Sequence, residues 1–292
     1  MAVPVVWAEG TEFEHKFITS LLPPGTEVVK SDPGVPCVFV CGYWRPEFHP
    51  AYVNHPFGLI FLSDELVSNQ LERFINPKCA FYNPNCKFIW RQYLHPSDSD
   101  HPKVRQLPCA YKSGFGRPGP PVGIEKRDLV WSFVGAVHGE DRRAAIEAFA
   151  PFGPNLVHET PPLSFDDQGK GLKIDKYREV YDRSRFVLAP PGRWSMECSR
   201  LYEALEAGCV PVALKNAGNV RASPSYHHRV FGVDALPFVV EDTWADAAAV
   251  VRRLEADPWA YAAVQQACVK FWAAHKDRMR KKLAEDIATL SA

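Results

Sequence analysis

The stretch SRFVLAPPGRWSMECSRLYEALEAGCVPV, residues 184–212, carries several residue types able to hold an anion and a diol. RFVLAP reads as a buried strand, and PGRWS as a turn that brings backbone N–H groups to the start of a helix, with Ser195 as its N-cap and Gly192 in the turn. A helix N-terminus at the carboxyl edge of a strand attracts phosphate through its unpaired amides and its macrodipole. On that helix Arg200, Glu203 and Ala207 fall on one side and Leu201 and Leu205 on the core side. A guanidinium offers a planar fork that matches phosphate oxygens, and a carboxylate one turn later can accept hydrogen bonds from a ribose diol. An ordinary strand-helix unit with an exposed Arg–Glu pair would show the same spacing. Gly208 ends the helix in a left-handed conformation, and CVPVAL starts the next strand.

The elements that would position these residues alternate between strand and helix. VPVVWA, TEVVKS, CVFVCG, FGLIFLS, KFIWRQY and VRQLPCA are the strand candidates of the first hundred or so residues, and their continuous apolar runs suit a parallel sheet covered on both faces. EFEHKFITSLL has its apolar residues at helical spacing. SGFGRPGPPVGIEKR, residues 113–127, is dominated by Gly and Pro and reads as a linker. A second alternating set follows: the strand DLVWSFVGA, the helix GEDRRAAIEAFA, the helix YREVYDRS leading into RFVLAP, and LPFVV before a helix that Asp242 or Thr243 caps. The tail from Pro258 is helical. The expected fold is α/β, two Rossmann-like lobes facing across a cleft. Residues 1–115 form the amino-terminal lobe, 116–128 a linker, 129–265 the nucleotide-holding lobe, and 266–292 a helix that packs back on the first lobe.

Composition narrows the function. Lys and Arg number 34, as do Asp and Glu, so bulk charge points to neither nucleic acid nor a membrane surface. No apolar run reaches the roughly 18 residues of a membrane span, and the amino-terminal stretch lacks a basic leader segment, so the expectation is a soluble, cytoplasmic protein. Several of the eight cysteines lie in apolar runs, as reduced core residues do, although a secreted disulfide framework is the alternative. No Cys-x-x-Cys pair and no His/Cys/carboxylate cluster at metal-ligand spacing occurs, so no metal and no cofactor is expected.

CSRLYEALEAGCVPV resembles the donor-site segment of exostosin-like glycosyltransferases (glycosyltransferase family 47 and relatives), through Ser199, Arg200, Glu203, Ala207, Gly208, Cys209 and Pro211 in order. SFVGAVHGEDRRAAIEAF resembles that family's preceding phosphate-loop segment, and the likeness covers residues 130–213. In the amino-terminal part, FGLIFLSDELVSNQ, NCKFIWRQYLHP and LPCAYKSGFG resemble the soluble, single-module xylosyltransferases of this group, some of them virus-encoded. The resemblance implies a GT-B fold, a UDP-sugar donor (UDP-xylose), inversion at the anomeric carbon, and a glycan as acceptor. An inverting transferase needs a base for the acceptor hydroxyl, and Asp64 and Glu65, at the carboxyl end of FGLIFL, are the candidates; Asp64 could instead cap the following helix. Arg142 or Arg143 would reach the diphosphate, the other being solvated, and His138 would touch phosphate or sugar or lie on the surface. Arg91 would line the acceptor side, Lys112 and Ser113 would contact the donor, and Trp7, Trp44, Trp90 and Trp194 offer stacking faces or fill cores.

Two other readings fit parts of the sequence. One is a nucleotide-sugar or glycan-binding module without catalysis. The other is a metal-dependent GT-A transferase using Asp98 and Asp100, although DSD lies in a polar loop full of turn formers, not directly after a buried strand.

Overall fold

A computed structural model of the chain describes residues 3–7, 12–42, 53–62, 80, 82–93, 101–160, 171–192, 195–215 and 226–291. It divides into two compact units: Met1–Ser113 together with Lys276–Ala292, and Gly114–His275. Each is built on one parallel sheet.

The first sheet contains β1 (Val5–Trp7), β2 (Val28–Val29), β3 (Cys37–Gly42), β4 (Phe57–Leu62), β5 (Cys86–Arg91) and β6 (Val104–Gln106), in the order β2-β1-β3-β4-β5-β6. All of its pairings are parallel. Every residue of β4 is buried, as a strand covered on both faces must be, and its apolar run has no alternation for that reason. Helix α1 (His15–Leu21) buries Phe17, Ile18 and Leu21. The last turns of the carboxyl-terminal helix are tied to this unit by Asp286, which accepts from Trp90 Nε1 at 2.9 Å and pairs with Lys282 at 2.9 Å.

The second sheet contains β7 (Leu129–Gly135), β8 (Asn155–Glu159), β9 (Ser184–Leu188), β10 (Val210–Leu214) and β11 (Val239–Glu241), in the order β11-β10-β9-β7-β8, again all parallel. Its helices are α2 (Glu140–Phe149), α3 (Ile174–Arg183), α4 (Ser199–Ala207), α5 (Tyr226–Phe231), α6 (Trp244–Ala256) and most of α7 (Pro258–Ala288). Thr243 caps α6, its Oγ1 accepting from the Asp246 amide at 3.1 Å. Strand β8 and helix α5 have no counterpart in the sequence reading. β8 is an edge strand of alternating exposed and half-buried residues, so it lacks the apolar run that marks the other strands.

Two expectations are corrected here. Residues 116–128 are not a loose linker: the stretch from Gly114 belongs to the second unit, Phe115 and Arg127 are fully buried, and Ile124–Lys126 forms a turn of 3-10 helix. The Arg127 guanidinium donates to the carbonyls of Val122 (3.1 Å), Tyr181 (2.9 Å), Ser184 (2.6 Å) and Ala207 (2.6 Å), stitching this segment to α3, β9 and the end of α4. Gly208, with φ 71°, lets that packing close, because a Cβ there would run into Pro121. Second, α4 is not two-sided. Arg200 to Leu205 and Ala207 are all buried, so its Arg and Glu side is enclosed as fully as its Leu side. Among the described residues, no helix is long and apolar enough to cross a membrane.

Candidate functional site

In the second sheet the order of strands reverses between β7 and β9: β8 lies to one side of this pair, β10 and β11 to the other. Chains leaving two such strands diverge, and the crevice at their carboxyl ends is where open α/β sheets bind ligands. Three of the polar residues singled out by sequence, His138, Arg142 and Arg200, meet there.

β7 ends at Gly135, whose φ is 147°. Arg200, in the first turn of α4, reaches back across this end. Its Nε donates to the Val134 carbonyl at 2.8 Å, and its guanidinium carbon lies 4.9 Å above the Phe133 ring. A Cβ on residue 135 would collide with Arg200 Nη2 and lie 3.0 Å from its Nε and 3.1 Å from its Cζ, so glycine is required by both backbone angle and space. Among the described residues no side chain caps α4. Its first-turn amides and the Arg200 charge therefore stand together at the strand ends, the combination that favours an anion.

Arg142, the third residue of α2, spans the crevice. One terminal nitrogen donates to the Ala136 carbonyl (2.8 Å) after β7, and the other to the Pro191 carbonyl (3.2 Å) after β9. His138 Nδ1 lies 3.3 Å from Arg142; a guanidinium only donates, so Nδ1 accepts. Arg142 thus fixes the separation of the two loops, while Arg143 points to solvent. Gly192 closes the described part of the β9 loop and is half-buried.

Behind Arg200 is a buried polar layer. Glu203, 1 % exposed, accepts a hydrogen bond from the Tyr177 hydroxyl. The Tyr177 and Tyr181 hydroxyls are 3.0 Å apart, and both rings pack on Phe115. Burial, reinforced by the Glu203 charge, pushes both phenols well above their ordinary range, so Tyr177 stays a donor. Ser195 does not cap α4. The helix begins four residues later with Cys198 as N-cap, and Ser195 Oγ accepts from the Glu197 amide at 3.1 Å, holding the turn before the helix.

The first unit contributes less of what was expected. Arg91, read as lining an acceptor surface, is fully buried at the end of β5, enclosed by the strands on either side of it. Lys112 is half-buried, and Ser113 Oγ accepts from the Lys16 amide at 3.1 Å. Trp90 is a core residue bonded to Asp286, and Trp7 packs against His15 at 4.3 Å. Asp64, Glu65, Trp44, Asp98, Asp100 and Trp194 lie outside the described residues. The sequence reading passed over Tyr177 and Tyr181, whose i,i+4 spacing in YREVY marks one helix face, and Glu14, a buried carboxylate that accepts from Gln92 Nε2 at 2.9 Å.

Residues 121–245 match the family described as the Exostosin GT47 domain, a span that includes Gly135, His138, Arg142, Tyr177, Arg200 and Glu203. HepE from Anabaena, in complex with UDP, superposes with a TM-score of 0.56 at 10% identity over 99% of this chain and 100% of that one. The DNA-modifying enzyme β-glucosyltransferase, studied with and without uridine diphosphoglucose, gives 0.55 at 10% identity over 99% and 100%. The chain has the GT-B glycosyltransferase fold. A variant O-GlcNAc transferase from Thermobaculum terrenum gives 0.53 at 10% identity, covering 99% of this chain and 67% of that one. No curated protein matches the chain in sequence.

Proposed function

We propose that the chain transfers a sugar from a UDP-sugar to a hydroxyl of a glycan acceptor, inverting the anomeric centre. The observation that carries this reading is the meeting of Gly135, Arg142, Arg200 and the uncapped start of α4 at the strand reversal of the second sheet, inside the span that matches the Exostosin GT47 domain. The likeness in fold to a protein that binds UDP supports uridine as the nucleotide. The resemblance of FGLIFLSDELVSNQ and NCKFIWRQYLHP to exostosin-like xylosyltransferases supports xylose as the sugar.

In this reading the diphosphate lies on Arg200 and the first-turn amides of α4. Glu203 exchanges its bond from Tyr177 for the ribose hydroxyls. Arg142 holds the β7 and β9 loops apart by the distance the diphosphate needs. The acceptor hydroxyl attacks the anomeric carbon and gives its proton to Asp64, or to Glu65, on the amino-terminal unit. The bond from that carbon to the phosphate oxygen breaks, and the charge gathering on UDP is offset by Arg200 and the α4 dipole without a metal ion.

Incubation with a panel of UDP-sugars, reading UDP release, tests the proposal. Release is expected with UDP-xylose above the others, unchanged by added magnesium or manganese, and abolished in Arg200→Ala. Tight UDP binding with no release from any donor would make the chain a binding module.

A further inference from the structure

At the opposite end of the first sheet, where strands begin, the fold gathers three side chains that no donor or acceptor role uses. Asp32 lies in the turn before β3, Cys37 is the first residue of β3, and His55 precedes β4 by two residues. Parallel pairing sets Cys37 beside Phe57, which brings the three together. A carboxylate oxygen, a thiol sulfur and a ring nitrogen all lie within 4.8 Å of one another. The sequence reading found no such cluster, because the three are spread over 24 residues and meet only through strand pairing.

The hydrogen bonds of His55 do not close with a neutral ring. Nδ1 is 3.2 Å from the Pro56 carbonyl, and Nε2 is 2.8 Å from Asp32 Oδ1. Both partners are acceptors, and a neutral imidazole has one N–H. One contact therefore sets lone pair against lone pair unless the ring is cationic or a metal cation stands at Nε2. An Nδ1–H donated to a backbone carbonyl, with Nε2 turned to the ligand, is the usual support of a metal-bound histidine. Cys37 is fully buried beside these groups, and burial, with the Asp32 charge, pushes its thiol up to about 12.

We propose that Asp32, Cys37 and His55 bind a zinc ion, with water from the exposed Asp32 side as the fourth ligand. Mixed S, N and O donors suit zinc, with bonds of about 2.0–2.3 Å. Asp32 is exposed and can draw back from Nε2 to admit the ion, while Cys37 and His55 are held at the strand starts. The ion would pin the turn before β3 to the beginnings of β3 and β4, stabilising the first unit without touching the transferred sugar.

Elemental analysis of full-length protein purified with zinc and then dialysed against metal-free buffer tests this. Wild type is expected to retain about one zinc per chain, and Cys37→Ser and His55→Gln to retain less than a fifth as much. Zinc added to stripped wild type should raise its melting temperature and leave that of Cys37→Ser unchanged. Cobalt in place of zinc should give a thiolate charge-transfer band that Cys37→Ser lacks, a readout that does not depend on stability. Wild type holding no more zinc than Cys37→Ser, with no cobalt band, would overturn the proposal.

Discussion

Replacing Gly135 with alanine isolates the contact on which the nucleotide site rests. The residue holds φ at 147°, which costs an L-residue about 1–3 kcal/mol. The new Cβ also meets Arg200, with Nε at 3.0 Å and Cζ at 3.1 Å. A surface arginine would swing aside, but Arg200 is anchored by the Val134 carbonyl and the Phe133 ring. Moving it loses a charge-assisted hydrogen bond of about 1.5–3 kcal/mol. Gly135→Ala should therefore destabilise the protein by about 2.5–6 kcal/mol, seen as a lower denaturant midpoint at unchanged slope. With the guanidinium displaced, UDP affinity by calorimetry should fall about 30-fold, the equivalent of about 2 kcal/mol. Gly139→Ala is the control: its φ is 82° and no atom lies within 4 Å of the added Cβ, so it should lose stability but keep UDP affinity. If Gly135→Ala binds UDP as wild type does, Arg200 does not hold the diphosphate.

Three further outcomes are expected. Arg127→Ala strands three buried carbonyls and a half-buried one and should cost at least about 3 kcal/mol of stability in chemical denaturation, with Arg127→Lys intermediate because an ammonium cannot span all four. Asp64→Asn should abolish sugar transfer while UDP affinity, measured by calorimetry, stays within about twofold of wild type. His227 is pushed down from 6.5 to about 4, chiefly by burial. Because the folded ring resists protonation, its contribution is fully present above pH 6.5 and is lost as pH falls toward 4, by about 3 kcal/mol. His227→Gln, which keeps a donor toward the Leu214 carbonyl, should flatten the fall in stability between pH 7 and 4.

Much of the fold was legible because parallel strands covered on both faces leave unbroken apolar runs, as in CVFVCG and FGLIFL, and because Gly208 marks the end of α4. NLVHE was not legible as β8, since an edge strand has no such run. The Gly-Pro stretch before Arg127 misled for a related reason. Its composition is that of a linker, and only the buried guanidinium, a tertiary feature, shows that it packs. At the site, Arg200 and Glu203 could be singled out by their spacing on one helix. Their enclosure by Tyr177, Tyr181 and Phe115 could not, because those residues come from another helix and a loop far away in sequence. Arg142 was expected at a phosphate and is found bonded to two loop carbonyls, a role set by strand order and not by local sequence.

A crystal structure with UDP soaked in tests the placement of the donor most directly. The diphosphate is predicted to lie at hydrogen-bond distance, about 3 Å, from Arg200 and the first amides of α4, with the ribose on Glu203. Nucleotide bound away from the carboxyl ends of β7 and β9 would contradict it.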